Sequence, residues 1–355
     1  MDQNFPTAMR EAARLTRTGR LMDATRLLQR ALSGVAADDG GMAAPDGMII
    51  DVSFTEVAAA STAGPTPSGQ FLHRHFANAA GSRDYRLYVP DSYRGQALPL
   101  VVMLHGCTQD PEDFAAGTGM NAAADRHRFL VAYPAQPASA NMQKCWNWFR
   151  AQDQGRDAGE PAIIAGLARQ IMAEFAVDPA RVYVAGLSAG GAAAAVLGEV
   201  YPDLFAAVGV HSGLPCGAAW DVASALRAMK TGAATMQQAP ETTKRTGGRI
   251  TPTIIFHGAC DSTVTARNGQ EVADRAAQGA NLSVRMEDGH SAGGQSYRRT
   301  RYEDDGGKIL VEHWLIHSAG HAWSGGKTHG SHTDPRGPDA TSEMVRFFLS
   351  HCMQV

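Results

Sequence analysis

Apolar residues recur along this chain in two different rhythms, and the change between them divides it. From Thr7 to Ser33, Met9, Ala12, Ala13 and Leu15, then Leu21, Ala24, Leu27, Leu28, Ala31 and Leu32, follow three- and four-residue steps. That is the spacing of one helix face. Gly19 separates the two runs, so residues 1–33 are predicted to form a helical hairpin. Its other face, with Arg10, Arg14, Arg17, Arg20, Arg26 and Arg30, reads as solvated. Residues 34–69 are rich in Ala, Gly, Pro, Ser and Thr, the composition of a flexible linker. From Gln70 the pattern becomes one of strands. Phe71–Phe76 and Arg83–Val89 read as a hairpin, and Leu98–Leu104 is a continuous apolar run of the kind buried on both faces of a parallel sheet. Helical and strand patterns then alternate: Asp110–His127 helix, Phe129–Tyr133 strand, Pro161–Phe175 helix, Arg181–Ala185 strand, Ala189–Val200 helix, Ala206–His211 strand. After an insertion come Thr251–Phe256 as strand, Thr265–Ala277 as helix, Val311–Ile316 as strand and Pro338–His351 as the closing helix. The expected fold class is α/β: a mostly parallel sheet with helices on both faces, over residues 70–355.

Composition narrows the function classes. The 355 residues are 44% apolar and 19% charged, with a formal net charge of -3. That is enough to build a core and offers no basic footprint for nucleic acid. No apolar stretch reaches the length of a transmembrane helix. The first residues lack the basic-then-apolar pattern of a Sec leader. The expectation is a cytoplasmic protein, with another export route or a removed leader left open. The five cysteines, Cys107, Cys145, Cys216, Cys260 and Cys352, match neither a disulfide framework nor a zinc module, so no metal or cofactor is expected. Composition does not address the oligomeric state.

Three segments carry the chemistry. Gly186-Leu187-Ser188-Ala189-Gly190 lies between an apolar strand and an Ala-rich helix. This is the nucleophile elbow of α/β-hydrolases, which predicts Ser188 as nucleophile. In that fold the acid and the histidine follow the serine in order. Asp261 stands four residues past the strand ending in Phe256-His257, and His321 follows the last strand behind Gly320. Asp261 would then orient His321 as general base. Asp288, Asp304 and Asp305 compete as acids, but their polar, Gly-rich surroundings read as a surface loop. Leu104-His-Gly-Cys-Thr-Gln109 follows the central strand, which makes the Cys107 and Ala189 amides the expected oxyanion donors. A Cys107–Cys145 disulfide fits the positions of both loops. A Cys216–Cys260 bridge fits too, leaving Cys352 free, although reducing conditions would oppose both. Trp146, Trp148 and Trp323 flank these loops and read either as an apolar substrate cleft or as core support. The insertion over 214–249, with Trp220, Met229 and Met236, reads either as a lid or as a plain surface segment.

Taken together, Leu104–Gln109, Cys145-Trp-Asn-Trp-Phe149, Ala185–Gly191, His211-Ser-Gly-Leu-Pro215, Gly320-His-Ala-Trp323 and Thr333–Asp339 resemble the polyhydroxybutyrate (PHB) depolymerase family of esterases from Gln70 to the C-terminus. The resemblance implies a serine esterase acting on short-chain poly(3-hydroxybutyrate), its oligomers or small acyl esters, with Ser188, Asp261 and His321 as its triad and Cys107 in the oxyanion loop. Feruloyl or acetyl-xylan esterase activity is the main alternative. A serine peptidase and a non-catalytic module are the more distant ones. Secreted polymer-degrading members of the family usually carry a leader and a separate substrate-binding domain, and neither is visible here.

Overall fold

The computed structural model of the chain describes residues 67–233 and 250–353. The predicted hairpin of residues 1–33, nearly all of the predicted linker, and Met236 lie outside the described residues. The described residues belong to one compact unit built on a ten-stranded sheet of order β1-β2-β4-β3-β5-β6-β7-β10-β9-β8.

β1 (Gln70–Asn78) and β2 (Gly81–Val89) form an antiparallel hairpin whose turn is closed by Asn78 Oδ1 accepting the Ala80 amide at 2.9 Å. β2 joins the rest of the sheet through β4 (Leu130–Pro134), also antiparallel. β4, β3 (Leu98–Leu104), β5 (Val177–Leu187), β6 (Ala207–His211), β7 (Thr253–Gly258) and β10 (Ile309–Ile316) then run parallel. Every residue of β3, β4, β6 and β7 is buried. That is why these strands read as unbroken apolar runs rather than alternating ones.

Helices cover both faces. α3 (Gly159–Glu174), α4 (Ala189–Val200) and α6 (Arg267–Ala277) pack on the face of Leu100, Val102 and Val184. α1 (Pro111–Thr118), α2 (Met120–His127) and α7 (Ala340–Leu349) pack on the face of Val101, Met103 and Tyr183. Because parallel connections return across a helix, β3, β5, β7 and β10 all end at the same edge, where chemistry collects in open α/β sheets.

Two expectations need correction. The helix predicted over Asp110–His127 is two helices, because Gly119 takes φ 65° and its N–H caps α1 on Ala115 O. The stretch holding Asp288, predicted as a loop, is an antiparallel hairpin of β8 (Ser283–His290) and β9 (Ser296–Glu303) beside β10. β8 is the edge strand and almost wholly exposed, so it carries no buried face to produce an apolar alternation. The insertion starting at 214 begins in the core. Leu214, Cys216, Ala218 and Ala219 are buried in the core, and only from Trp220, along α5 (Val222–Thr231), do apolar side chains reach solvent.

Leu100 lies at the middle of the sheet with no exposed surface. Leu100→Ala should cost roughly 2–5 kcal/mol, read as a drop in the urea midpoint without a change in slope.

Candidate active site

Ser188 links the end of β5 to the first residue of α4 at φ 58°, ψ −118°, a strained conformation for a side chain with a Cβ. Its amide is tied at 2.8 Å to His211 O, at the end of neighbouring β6. The turn is tight because α4 rides over the end of β3. A Cβ on Gly190 would lie 2.0 Å from Leu104 O, so only glycine allows the approach. The serine therefore stands at the N-terminus of a helix, where partial positive charge favours an anion.

The acid and the imidazole meet. His321 Nδ1 donates to Asp261 Oδ2 at 2.6 Å, and the Asp261 side chain is fully buried. Asp261 Oδ1 accepts the Thr263 and Val264 amides at 2.9 and 2.8 Å, and His257 Nε2 lies 3.5 Å from Oδ2 while donating to Val264 O at 2.9 Å. The two loops are zipped by backbone bonds, Ala259 N to Ile316 O at 2.8 Å and Cys260 N to Ala319 O at 3.0 Å. Gly258 permits this, since a Cβ there would sit 2.3 Å from Ala319 O.

No hydrogen bond joins Ser188 Oγ to His321 among the described residues; such contacts often tighten only when substrate is in place. What holds the serine and histidine loops to the same strand end is His211. Its carbonyl takes the Ser188 amide, and its Nε2 accepts the Ser324 amide at 2.9 Å. Sequence reasoning gave His211 no role. Its signal was a polar residue closing an otherwise apolar strand.

In the loop after β3, Gly106 N donates to Gln109 Oε1 at 2.9 Å, Thr108 N to Gln143 O at 2.7 Å and Gln109 N to Gly106 O at 3.4 Å. Among the described residues the Cys107 amide has no acceptor. It lies between satisfied neighbours, and the Ala189 amide opens the first turn of α4.

Cys107 and Cys145 form a disulfide. The Cys216–Cys260 bridge that the sequence left open is not formed: the Cys216 thiol is buried in the core, while Cys260 is exposed with Sγ on His317 O. Cys352 is free and exposed, as expected.

The three tryptophans belong to the core. Trp146 and Trp323 are fully buried and Trp148 nearly so. The Trp146 indole N–H donates to His105 O at 3.1 Å. That of Trp323 donates to Thr341 Oγ1 at 3.0 Å, and its ring stacks on His211. A buried indole must satisfy its N–H internally, and that requirement turns these rings inward as loop supports. Of the competing acids, Asp288 is bound to Arg298 at the sheet edge, and Asp304 closes the turn after β9.

A sheet of this order, carrying a serine elbow and a His–Asp pair at the carboxyl ends of its parallel strands, defines an α/β-hydrolase. Residues 83–287 match the family described as Esterase PHB depolymerase, and the chain belongs to that family. Poly(3-hydroxyalkanoate) depolymerase C of Paucimonas lemoignei is 32% identical over 252 residues, 70% of this chain and 60% of that protein. Feruloyl esterase B of Neurospora crassa is 30% identical over 195 residues, 52% of this chain and 65% of that protein. The chain thus spans less than two thirds of the length of these curated relatives. The solved acetyl xylan esterase from Aspergillus awamori shares the fold, with TM-score 0.59 at 19% identity over 76% of this chain and 94% of that one.

Burial pushes the His105 imidazole down to about 4, and those of His211 and His313 to about 3. Unfolded histidines titrate near ~6.5. The stability these neutral rings confer is therefore complete above that value and is lost as pH falls from 6.5 toward 4, at roughly 1.4 kcal/mol per pH unit for each ring. For Asp261, burial alone would raise the carboxyl, but hydrogen bonds from His257 and His321 and the charge of His321 outweigh it and hold the group well below the usual range. Its contribution is present above the ordinary carboxylate value and is lost at still lower pH. The urea midpoint should fall steeply between pH 7 and 5; a flat midpoint across that window would contradict this.

Proposed function

We propose that this chain is a serine esterase that hydrolyses carboxylic esters through an acyl-enzyme, with short-chain poly(3-hydroxybutyrate), its oligomers and small acyl esters as substrates. The observation that carries the reading is the His321–Asp261 hydrogen bond, made by a fully buried carboxylate at the strand edge that also bears the strained Ser188.

In this reaction Ser188 Oγ attacks the ester carbonyl while His321 Nε2 takes its proton. The Asp261 carboxylate keeps Nδ1–H fixed and stabilises the imidazolium. The Cys107 and Ala189 amides receive the oxyanion, each worth roughly 3 kcal/mol in the transition state. His321 returns the proton to the departing alcohol, leaving the acyl group on Ser188. Water then attacks that ester by the same route, releasing the acid and restoring the serine. The depolymerase relative, which aligns over most of this chain, supports the polyester substrate. The feruloyl esterase relative supports an aromatic ester as the second reading. The Cys107–Cys145 disulfide supports an oxidising compartment rather than the cytosol.

Ser188→Ala should lower p-nitrophenyl butyrate hydrolysis by roughly 10⁴-fold or more with unchanged thermal stability, and Asp261→Asn by roughly 10⁴-fold through the wrong imidazole tautomer. Activity that survives Ser188→Ala would move the nucleophile elsewhere. A panel of 3-hydroxybutyrate oligomers against methyl ferulate and acetylated xylan separates the substrates. Ferulate or acetate release at the higher kcat/KM would replace the polyester reading.

A further inference from the structure

The segment from Gln143 to Trp148 lies against the oxyanion loop through three separate contacts. Cys145 is bonded to Cys107. The Trp146 indole N–H donates to His105 O at 3.1 Å, and the Thr108 amide donates to Gln143 O at 2.7 Å. A fourth contact comes from the end of β4, where the Gln136 amide donates to His105 Nε2 at 3.1 Å. His105 is neutral and uses Nδ1–H on Gly106 O at 2.7 Å, which leaves Nε2 free to accept. The backbone on either side of the Cys107 amide is therefore clamped from one direction.

The clamp is itself anchored on a buried charge. Glu160, at the start of α3, is 7% exposed. Its Oε2 accepts the Asn147 amide at 2.7 Å. Its Oε1 accepts Asn147 Nδ2 at 2.7 Å, Gln136 Nε2 at 2.5 Å and Arg83 Nη2 at 3.2 Å. Gln136 Nε2 also reaches Cys145 O at 2.9 Å, and the Arg83 guanidinium lies 6.0 Å over the Trp146 ring. Every contact made by the carboxylate is an acceptance, so the four donors, the Arg83 guanidinium among them, favour the ionised form against burial and the Asp153 carboxylate, which push its pKa up. Buried charge is costly unless every lone pair is used. Spending it beneath this one loop points to a requirement for fixed geometry there.

We propose that Glu160 is a positioning residue for the oxyanion hole, holding the Cys107 amide in place through Asn147, Trp146, Gln136 and His105. The inference rests on the esterase reading above and names how that site is kept preorganised. Oxyanion donors stabilise the transition state only where they stand ready before charge develops. Loosening the clamp therefore lowers kcat and leaves ground-state binding alone.

The test uses the full chain with Glu160→Gln, which sets an amide N–H against a cluster of donors, and Trp146→Phe, which keeps an aromatic ring but removes the indole N–H together with the five-membered ring that carries it. Sites are titrated with a fluorophosphonate so that rates are per reactive serine. On p-nitrophenyl butyrate, Glu160→Gln should lower kcat per titrated site roughly 10- to 100-fold, and Trp146→Phe roughly 3- to 10-fold, with KM within about twofold. Inhibition by butylboronic acid, whose adduct places an oxygen in the same hole, should weaken in step with kcat. Hydrogen–deuterium exchange of the peptide over residues 104–109 should quicken in both variants. Variants with unchanged kcat per site and unchanged exchange would overturn the proposal. So would a loss of rate that appears wholly as fewer titratable sites. Should Glu160→Gln fail to fold, Trp146→Phe decides by the same criteria. A wild-type chain that neither turns over esters nor reacts with the probe would instead defeat the esterase reading, and exchange alone would then judge the clamp.

Discussion

A carboxylate without solvent must be fully hydrogen-bonded or it will not stay ionised. Asp261 meets that condition with two backbone amides, the imidazole of His321 and the nearby ring of His257. The site depends on this arrangement because it commits one nitrogen of His321 to donating, which leaves the other free to accept a proton. The bond can form only where the loop after β7 and the loop after β10 run side by side. That follows from the parallel pairing of the two strands and the missing side chain at Gly258.

The serine side of the site follows a different logic. Ser188 is held in a conformation that costs energy, and the surroundings leave it no alternative: its amide is fixed on His211 O, and α4 is seated over β3 at Gly190. Thr108, in the loop after β3, and Ser212, just past β6, also take positive φ. Strain of this kind persists where packing over-determines the backbone. His211 is the tie between the two halves, touching the elbow through its carbonyl and the histidine loop through its ring.

The buried polar groups are concentrated behind this edge. Arg83, Gln136, Asn147, Asp153 and Glu160 form one satisfied cluster beneath the oxyanion loop, and Gln109, Asp113 and Ser331 bind that loop to the segment following His321. A network of this kind fixes geometry more than it adds stability. The tryptophans belong to the same scheme, their rings filling the core while their N–H groups pin nearby backbone and side-chain oxygens.

Much of this was legible in the chain itself. Strands buried on both faces announce themselves as apolar runs, so β3 through β7 and β10 were readable, and the glycines around Ser188 marked a turn no other residue could make. The order of serine, acid and histidine singled out Asp261 and His321 because both follow such strands. What tertiary structure alone decided was where polar and aromatic side chains point. β8 and β9 were missed because β8, at the sheet edge, is almost wholly exposed and β9 beside it is only partly buried, so neither carries an apolar alternation. Trp146 and Trp323 were ambiguous because a tryptophan beside a loop has the same letter whether it faces substrate or core. Cys216 and Cys260 follow adjacent strands, yet one thiol is buried and the other exposed. Glu160 gave no sign of its importance and His211 showed only as a polar residue closing an apolar strand, since a buried hydrogen-bond hub is defined by partners dozens of residues away, and periodicity records only which face of an element is buried.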